Sequence, residues 1–204
     1  DPDARRSEVC LSDETDSHSM LGMEQERWLD LSLQNSAKRK TQWNIIVQQT
    51  VFSPRNYKAG FGKKFTYDTW DGFPAARERL LESIAVRQPR NPIFVGGDIH
   101  QSWVANVHRD PYDIRSPILA SEFCGTSITS ESKVVQARAE AIAASNPHCV
   151  LANSEKRGYG MVELTGRSAV VKLRVLKDAS LADSPVETLA EFLVNNGQPK
   201  IARV

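Results

Sequence analysis

The chain has 204 residues, of which 40% are hydrophobic, and its basic and acidic side chains nearly cancel to a formal net charge of +1. This length suits one domain of ordinary core size. The balanced charge argues against a basic stripe for nucleic acid or a surface for anionic lipid. No apolar stretch approaches the ~20 residues of a membrane-spanning helix, and no targeting segment is visible. We therefore expect neither a nucleic-acid nor a membrane partner.

The first part of the chain predicts an arm followed by alternating helices and strands. Residues 1–19 are polar and lack periodicity, which favours an arm or loop. Residues 20–40 have helical spacing and a basic end, as a helix C-terminus favours. The apolar run 43–52 predicts a buried strand, and 53–72 a long loop. Pro74 suits the first turn of a helix that runs to about Arg87.

The second part of the chain predicts mostly strands. We expect strands at 91–97, 103–107 and 118–123, then an alanine-rich helix at 131–145. The segments 157–164 and 169–176 flank Thr165-Gly166-Arg167 and predict a hairpin, with Ala169, Val171, Leu173 and Val175 facing the core. The segment 188–194 is compatible with either a strand or a helix. The order predicts a mixed α/β chain with an antiparallel end.

The segment Gly96-Gly97-Asp98-Ile99-His100 follows an apolar strand and carries two side chains that bind metals. Asp98 and His100 are two residues apart, so an extended backbone would point them to the same side. A carboxylate and an imidazole together suit a divalent or trivalent cation. The alternative is structural, with Asp98 capping the next turn and His100 bonded to a backbone carbonyl. Two ligands do not complete a catalytic metal centre in either case.

Several short motifs occur together in a characteristic order between residues 18 and 165. They are Met20-Leu21-Gly22 with Gln25 and Trp28-Leu29, Trp43-Asn44 with Gln48-Gln49, Trp70-Asp71-Gly72 with Arg77, Gly97-Asp98-Ile99-His100 with Ser102-Trp103, Glu122-Phe123-Cys124-Gly125-Thr126-Ser127-Ile128, and Arg157-Gly158-Tyr159. This ordered set resembles the C-terminal half of PhoD-like alkaline phosphatases, a branch of the calcineurin-like metallophosphoesterases. Each motif alone is unspecific, whereas the ordered set is specific.

The resemblance implies a fold and the part of the family domain that this chain covers. It implies an α/β chain that forms the C-terminal portion of a four-layer αββα sandwich, with a mixed sheet and an antiparallel hairpin near the C-terminus. The family part would span 20–180, between the arm 1–19 and an extension at 181–204. The N-terminal half would be a missing partner from the same polypeptide. In its absence, we expect the strands at 43–52 and 93–97 to expose apolar faces.

The resemblance also implies an activity. Family members hydrolyse phosphate monoesters or diesters at alkaline pH with a metal cluster of iron and calcium, through a metal-activated water. Asp98 and His100 match the last ligand motif and would be metal-binding, catalytic residues. The substrate would be a small phosphate ester, and family members are commonly periplasmic or secreted. The alternative is a catalytically incomplete fragment, or a non-catalytic remnant that binds a partner or an anion.

Four further residues are weaker candidates for the site. Asp71 would orient a ligand histidine or hold its own loop as a helix cap. Gln49 would donate a hydrogen bond beside the site, unless its role is structural. Arg157 would contact a phosphate, or would be solvated or salt-bridged, and Tyr159 beside it would contact substrate or support the site. His108 and His148 lie in polar stretches, which predicts exposed side chains.

Overall fold

The computed structural model describes residues 6–7, 18–58 and 62–204. Its helices are α1 (Met23–Arg39), α2 (Pro74–Arg87) and α3 (Gln136–Ala144). Its strands are β1 (Arg6–Ser7), β2 (Asn44–Val47), β3 (Phe65–Thr66), β4 (Pro92–Gly96), β5 (Ser102–His108), β6 (Ile118–Cys124), β7 (Cys149–Asn153), β8 (Gly158–Leu164), β9 (Ser168–Leu176), β10 (Val186–Asn195) and β11 (Gln198–Arg203). Among the helices of these residues, none has the length and apolar character needed to cross a bilayer.

Local signals set the ends of the two long helices. The helix α1 ends where Lys40 adopts a left-handed conformation with φ 57°, and the Thr41 N–H donates to the Ser36 carbonyl oxygen. This arrangement satisfies carbonyl groups that have no partner within the helix. The helix α2 begins with Pro74, whose fixed φ suits a first turn, and ends at left-handed Gln88. The bounds predicted for α2 are therefore confirmed.

Two larger sheets form the centre of the molecule. The five-stranded sheet has the order β2-β4-β6-β5-β7, in which β2, β4 and β6 are parallel and β5 is antiparallel to β6 and β7. The four-stranded sheet has the order β11-β10-β9-β8 and is antiparallel throughout. A third pair joins β1 to β3. The predicted α/β class, mixed sheet and C-terminal hairpin are confirmed.

The molecule has three layers, in the order helices, five-stranded sheet and four-stranded sheet, and apolar side chains fill the space between each pair of layers. On the helix side, Phe52 stacks on Phe94 with ring centroids 4.0 Å apart and meets the edge of Trp70 at 5.0 Å. Between the two sheets, Ile93 and Phe123 pack against Phe192 and its neighbours. The inner face of β9 is buried as predicted, at Ala169, Val171, Leu173 and Val175. These layers correspond to three of the four that the resemblance implies.

Several predicted elements differ from those observed. The strand predicted at 43–52 ends at Val47, because the Gln48 side chain accepts from the Thr50 N–H at 3.1 Å and turns the chain. The predicted helix at 131–145 shortens to α3, and 188–194 is part of the strand β10. The strands β7 and β11 were not predicted. The prediction that the strand at 93–97 exposes an apolar face was wrong, since Ile93 and Phe94 in β4 are fully buried.

The predicted N-terminal arm lies mostly outside the described residues. Within it, Arg6–Ser7 forms the strand β1 and pairs with Phe65–Thr66. A short sheet therefore links part of the arm to the long connection between β2 and α2.

Candidate functional site

The candidate site lies where the parallel strands end. Because β2, β4 and β6 are parallel, the segments that follow them meet at one edge of the sheet. The Gly97 N–H donates to the Gln49 carbonyl oxygen at 3.1 Å, and the Gly125 N–H donates to the Gly96 carbonyl oxygen at 2.9 Å. These bonds join three loops into one surface, which we call the ligand edge.

The loop that carries Asp98 and His100 has an unusual backbone. Asp98 has φ 69° and His100 has φ 54°, so both are left-handed, and the intervening Ile99 N–H donates to the Gly97 carbonyl oxygen at 2.8 Å. Positive φ is uncommon outside glycine, although Asp and His tolerate it better than most residues. The alternation of an extended strand therefore does not set the directions of these two side chains. Such strained positions concentrate at functional sites.

The hydrogen bond of His100 indicates the tautomer of its neutral ring. Its Nδ1 lies 3.3 Å from the Glu131 carbonyl oxygen. A carbonyl oxygen can only accept, so Nδ1 carries the proton and Nε2 keeps a lone pair in the neutral ring. Metal-binding histidines are commonly held by a bond of this kind. Within the part of the chain that the structure describes, no hydrogen bond engages His100 Nε2 or the Asp98 carboxylate, and both residues are exposed.

The donors at the ligand edge fit a metal ion but are few. The Asp98 carboxylate and the His100 imidazole offer hard oxygen and intermediate nitrogen, which suits iron, and the carboxylate also suits calcium. Among residues 6–7, 18–58 and 62–204, no group of three or more His, Cys, Asp or Glu side chains is placed to hold a metal.

Arg157 is buried and supports the loop of His100 through hydrogen bonds. Its Nη1 donates to the His100 carbonyl oxygen at 2.9 Å and to Thr126 Oγ1 at 2.8 Å, and its Nη2 donates to the Ser154 carbonyl oxygen at 2.6 Å. The Nη groups of the guanidinium thus donate to three segments of the chain around the ligand edge, at His100, Thr126 and Ser154. This geometry differs from the expected contact with a phosphate.

Cys124 supports the same loop from the sheet. Its thiol donates to the Gly97 carbonyl oxygen at 3.1 Å. Burial raises the pKa of this thiol well above its ordinary value, with a further increase from the charge of Glu122. Cys124 is therefore a protonated packing group rather than a nucleophile, as a buried small side chain favours.

The Asp71 carboxylate bonds within its own region of the chain. Its Oδ1 forms a buried ion pair with Arg77 Nη1 at 2.6 Å, and its Oδ2 accepts from the Arg55 N–H at 2.9 Å. These contacts agree with the alternative in which Asp71 holds its loop, although it does so through an ion pair rather than a helix cap. None of its hydrogen bonds reaches His100 in the described residues.

The structure separates the two remaining candidates. Gln49 is exposed at the ligand edge, and its carbonyl oxygen holds Gly97. Tyr159 pairs with Arg174 on the face of the four-stranded sheet opposite to its buried face. The Tyr159 side chain therefore faces away from the core between the two sheets.

Sequence reasoning assigned no role to Glu122, which fixes the chain after β2. Its side chain is fully buried, with Oε1 2.5 Å from the Phe52 nitrogen and Oε2 3.0 Å from the Ser53 nitrogen, both of which donate to it. Burial raises the pKa of this carboxyl, and the bonds from residues 52 and 53 oppose that effect. A glutamate in the middle of the apolar run 118–124 was the available signal, because a buried acid needs dedicated partners.

His148 gives the fold a testable pH dependence. His148 and His108 are both buried, so the prediction that they are exposed was wrong. The His148 Nε2–H donates to the Pro54 carbonyl oxygen at 2.8 Å. Burial lowers the pKa of His148 from 6.5 to about 4. As the pH falls, His148 therefore takes up a proton in the unfolded chain before it does so in the folded one. Its contribution to the free energy of unfolding is complete above pH 6.5 and falls by about 3 kcal/mol as the pH drops to 4.

Urea unfolding between pH 4 and 8 measures this dependence. His148→Gln retains an N–H donor for Pro54 and removes the titration, so we expect its stability to vary less over this range. His18→Gln, at an exposed position, is the matched control. Equal pH profiles for wild type and His148→Gln would contradict this account.

Comparisons with known proteins identify relatives over most of the chain. The sequence profile of the family described as PhoD-like phosphatase matches residues 2–173. The chain is 33% identical to alkaline phosphatase D of Bacillus subtilis over 190 residues, which are 92% of this chain and 32% of that protein. A solved structure described as the structure of PhoD superposes with a TM-score of 0.84 at 31% identity, covering 93% of this chain and 36% of that one. The chain thus spans about a third of the length of the curated relative that it matches.

Proposed function

This chain belongs to the PhoD-like phosphatase family, and we propose that it carries part of the active site of a metal-dependent phosphoesterase. The reaction would be hydrolysis of phosphate monoesters or diesters by a metal-activated water. This proposal extends to the chain what the name of its Bacillus subtilis relative says of that protein.

The ligand edge is the observation that carries the proposal. Asp98 and His100 follow a strand that lies between two parallel neighbours, and both side chains are exposed. Ligand sites in open parallel sheets lie at this end of the strands. The bond from His100 Nδ1 to Glu131 leaves Nε2 available for a metal. We propose that Asp98 and His100 are metal ligands on these grounds.

The family resemblance favours iron and calcium, and the donors at the edge are compatible with both. Metal ions in such a site neutralise phosphoryl oxygens and lower the pKa of water enough to supply hydroxide. The chain's own contribution is to hold Asp98 and His100 in position before the metal binds. Arg157 and Cys124 do this by bonding to the carbonyl oxygens of His100 and Gly97.

The other candidates take narrower roles. Arg157 is proposed as a positioning residue for His100, because its hydrogen bonds run to the loop. Gln49 is proposed as a hydrogen-bond donor to substrate, since its side chain is exposed at the ligand edge. Asp71 is proposed to hold the connection before α2 through Arg77. Tyr159, on the outer sheet face and two positions after Arg157, is proposed only as a candidate for contact with substrate.

The alternative function is that of an incomplete, non-catalytic piece that binds a partner or an anion. It is favoured by the small ligand set, since the described residues contain no group of three or more His, Cys, Asp or Glu side chains placed to hold a metal. We propose that the remaining part of a PhoD-type chain is the partner that supplies further ligands. Export to the periplasm or the medium stays a prediction from the family resemblance.

A hydrolysis assay with measured metal content tests the proposal. The purified chain is incubated at alkaline pH with iron, calcium and a chromogenic phosphate monoester or diester, and bound metal is quantified after desalting. Retained metal with turnover supports the phosphoesterase, whereas retained metal without turnover supports the incomplete site. A chain that retains neither iron nor calcium and hydrolyses nothing would argue against a metal site that is complete within this chain.

Replacing His100 with alanine is expected to weaken metal retention. Removal of Nε2 deletes one of two ligands, so we expect affinity to fall by at least about tenfold, the lower limit seen when even a ligand's supporting partner is lost. Equilibrium dialysis with calcium and with iron measures the change. His18→Ala is the control at an exposed histidine away from the ligand edge. Unchanged metal binding by His100→Ala would overturn its assignment as a ligand.

A further inference from the structure

A cavity of about 180 Å³ lies at the end of β5 that is remote from the ligand edge. The strand begins at Ser102, just after the loop of His100, and reaches His108 about 20 Å further along the sheet. His108 and His148 are both buried, and both line this cavity. The proposed phosphoesterase reaction uses neither imidazole, so the pair needs a separate explanation.

The fold brings these two histidines together from neighbouring strands. The strands β5 and β7 are antiparallel, and the Asn106 N–H donates to the His148 carbonyl oxygen at 2.9 Å. His148 lies directly before β7, and His108 lies two residues after Asn106. The pairing of β5 with β6 shifts its register between Val107 and His108. A shift of this kind redirects the next side chain, and His108 lines the same cavity as His148.

Hydrogen bonds indicate which nitrogen of each ring holds the proton. His108 Nδ1 donates to the Ser116 carbonyl oxygen at 2.9 Å. His148 Nε2 donates to the Pro54 carbonyl oxygen at 2.8 Å. The opposite nitrogens therefore keep lone pairs in the neutral rings. Within residues 6–7, 18–58 and 62–204, no hydrogen bond engages His108 Nε2 or His148 Nδ1. Histidines that bind metals are commonly held in this way, with one nitrogen bonded to a carbonyl oxygen.

The lone pairs select the class of ligand. Two imidazole nitrogens suit a divalent transition-metal ion, whereas a nitrogen without a proton has nothing to donate to an anion. The cavity has room for such an ion and several waters, since each water occupies about 30 Å³. Lys63 also lines the cavity, but it is exposed and its Nζ lies 4.0 Å from the centroid of the Tyr112 ring. The aromatic face attracts that ammonium group and holds it at the rim.

We propose that His108 Nε2 and His148 Nδ1 bind a divalent transition-metal ion in this cavity, with water completing the coordination. The site shares no residue with the ligand edge. His148 also holds Pro54, in the connection that follows β2, and His108 ends β5. The metal ion would therefore fasten that connection to the ends of β5 and β7. Its role would be structural, because the bound ion would stabilise the folded chain that positions its ligands.

A zinc titration of the full 204-residue chain, followed by NMR of the histidine side chains, tests the proposal. The chain has four histidines, so one His→Gln variant of each assigns the ring nitrogens. At neutral pH, we expect an equimolar amount of Zn²⁺ to shift the Nε2 resonance of His108 and the Nδ1 resonance of His148. His108→Gln and His148→Gln should each weaken zinc binding by at least about tenfold in equilibrium dialysis. Glutamine at position 148 retains an N–H donor for Pro54.

Two matched controls separate this site from other histidines. His18→Gln alters an exposed histidine, and His100→Gln alters the imidazole of the ligand edge. Both variants should keep the zinc-induced shifts of His108 and His148. Loss of these shifts in His100→Gln would overturn the independence of the site from the ligand edge.

The remaining outcomes are equally decisive. Zinc-induced shifts confined to His18 or His100, or to a single member of the pair, overturn the proposal. Wild-type zinc affinity in His108→Gln does the same, and this variant decides the matter where His148→Gln fails to fold. Shifts of the pair with inorganic phosphate but not with zinc would identify an anion site instead. The readouts are independent of phosphate-ester hydrolysis, so the proposed function stands or falls separately.

Discussion

Replacing Asp71 with alanine is expected to lower the free energy of unfolding by about 3–5 kcal/mol, the range for breaking a buried ion pair. The Asp71 and Arg77 side chains are 3% and 1% exposed, and Oδ1 lies 2.6 Å from Nη1. The substitution leaves the Arg77 charge without its carboxylate partner in a site that water cannot reach. It also deprives the Arg55 N–H of its acceptor.

The matched control is the surface pair between Asp30 and Arg87, whose side chains are 33% and 31% exposed. Asp30→Ala should change stability by only about 0–1 kcal/mol, because solvent screens an exposed pair. Urea unfolding of both variants measures the difference. Where Asp71→Ala fails to fold, Asp71→Asn retains one acceptor oxygen and should give a smaller loss. Equal losses for Asp71→Ala and Asp30→Ala would show that the buried pair is not a main support of the loop before α2.

Replacing Gly96 with alanine is expected to destabilise the chain by about 3 kcal/mol, at the upper end of ordinary overpacking. A Cβ at this position would overlap the Thr50 carbonyl oxygen and lie 2.6 Å from Gln48 Nε2. The Thr50 carbonyl oxygen belongs to the backbone, so the segment after β2 has to move away from β4. Because Gly97 bonds to Gln49 in that segment, we expect the ligand edge to distort as well.

Gly97→Ala provides a close control in the same turn. The nearest atom to its added Cβ is the Gln49 carbonyl oxygen at 3.9 Å, which is an ordinary contact. We expect Gly97→Ala to unfold within about 1 kcal/mol of wild type. Thermal unfolding, together with calcium and iron retention, distinguishes the two variants. A Gly96→Ala chain with wild-type stability and metal binding would show that the segment after β2 yields easily.

The parts of the fold that sequence predicted depend on local patterns. Pro74 and the spacing of Leu80 and Ile84 are sufficient to predict α2, and alternation in 169–175 is sufficient for β9. The predicted length of β2 was wrong because the strand ends where the Gln48 side chain accepts a hydrogen bond from the Thr50 N–H. The apolar content of the segment does not reveal this hydrogen bond. Burial of His148 depends on Pro54, 94 positions away, and no local pattern encodes that contact.

The position of Asp98 and His100 after a strand was predicted, but the conformation of their backbone was not. The Gly-Gly-Asp-x-His segment indicated that Asp98 and His100 follow a strand, and the structure places them there. Their left-handed backbone was not predicted, since it depends on bonds from Gly97 to Gln49 and from Arg157 to His100. The same long-range contacts explain why Arg157 was assigned to phosphate. An isolated arginine in a sequence does not show which carbonyl groups surround it.

The bond between Trp43 and Thr165 has a consequence for the order of folding. The Trp43 Nε1–H donates to the Thr165 carbonyl oxygen across 122 positions, so the residue directly before β2 reaches this partner only after most of the chain is available. Closure of such long loops slows folding, and strand edges that wait for partners are prone to aggregation meanwhile.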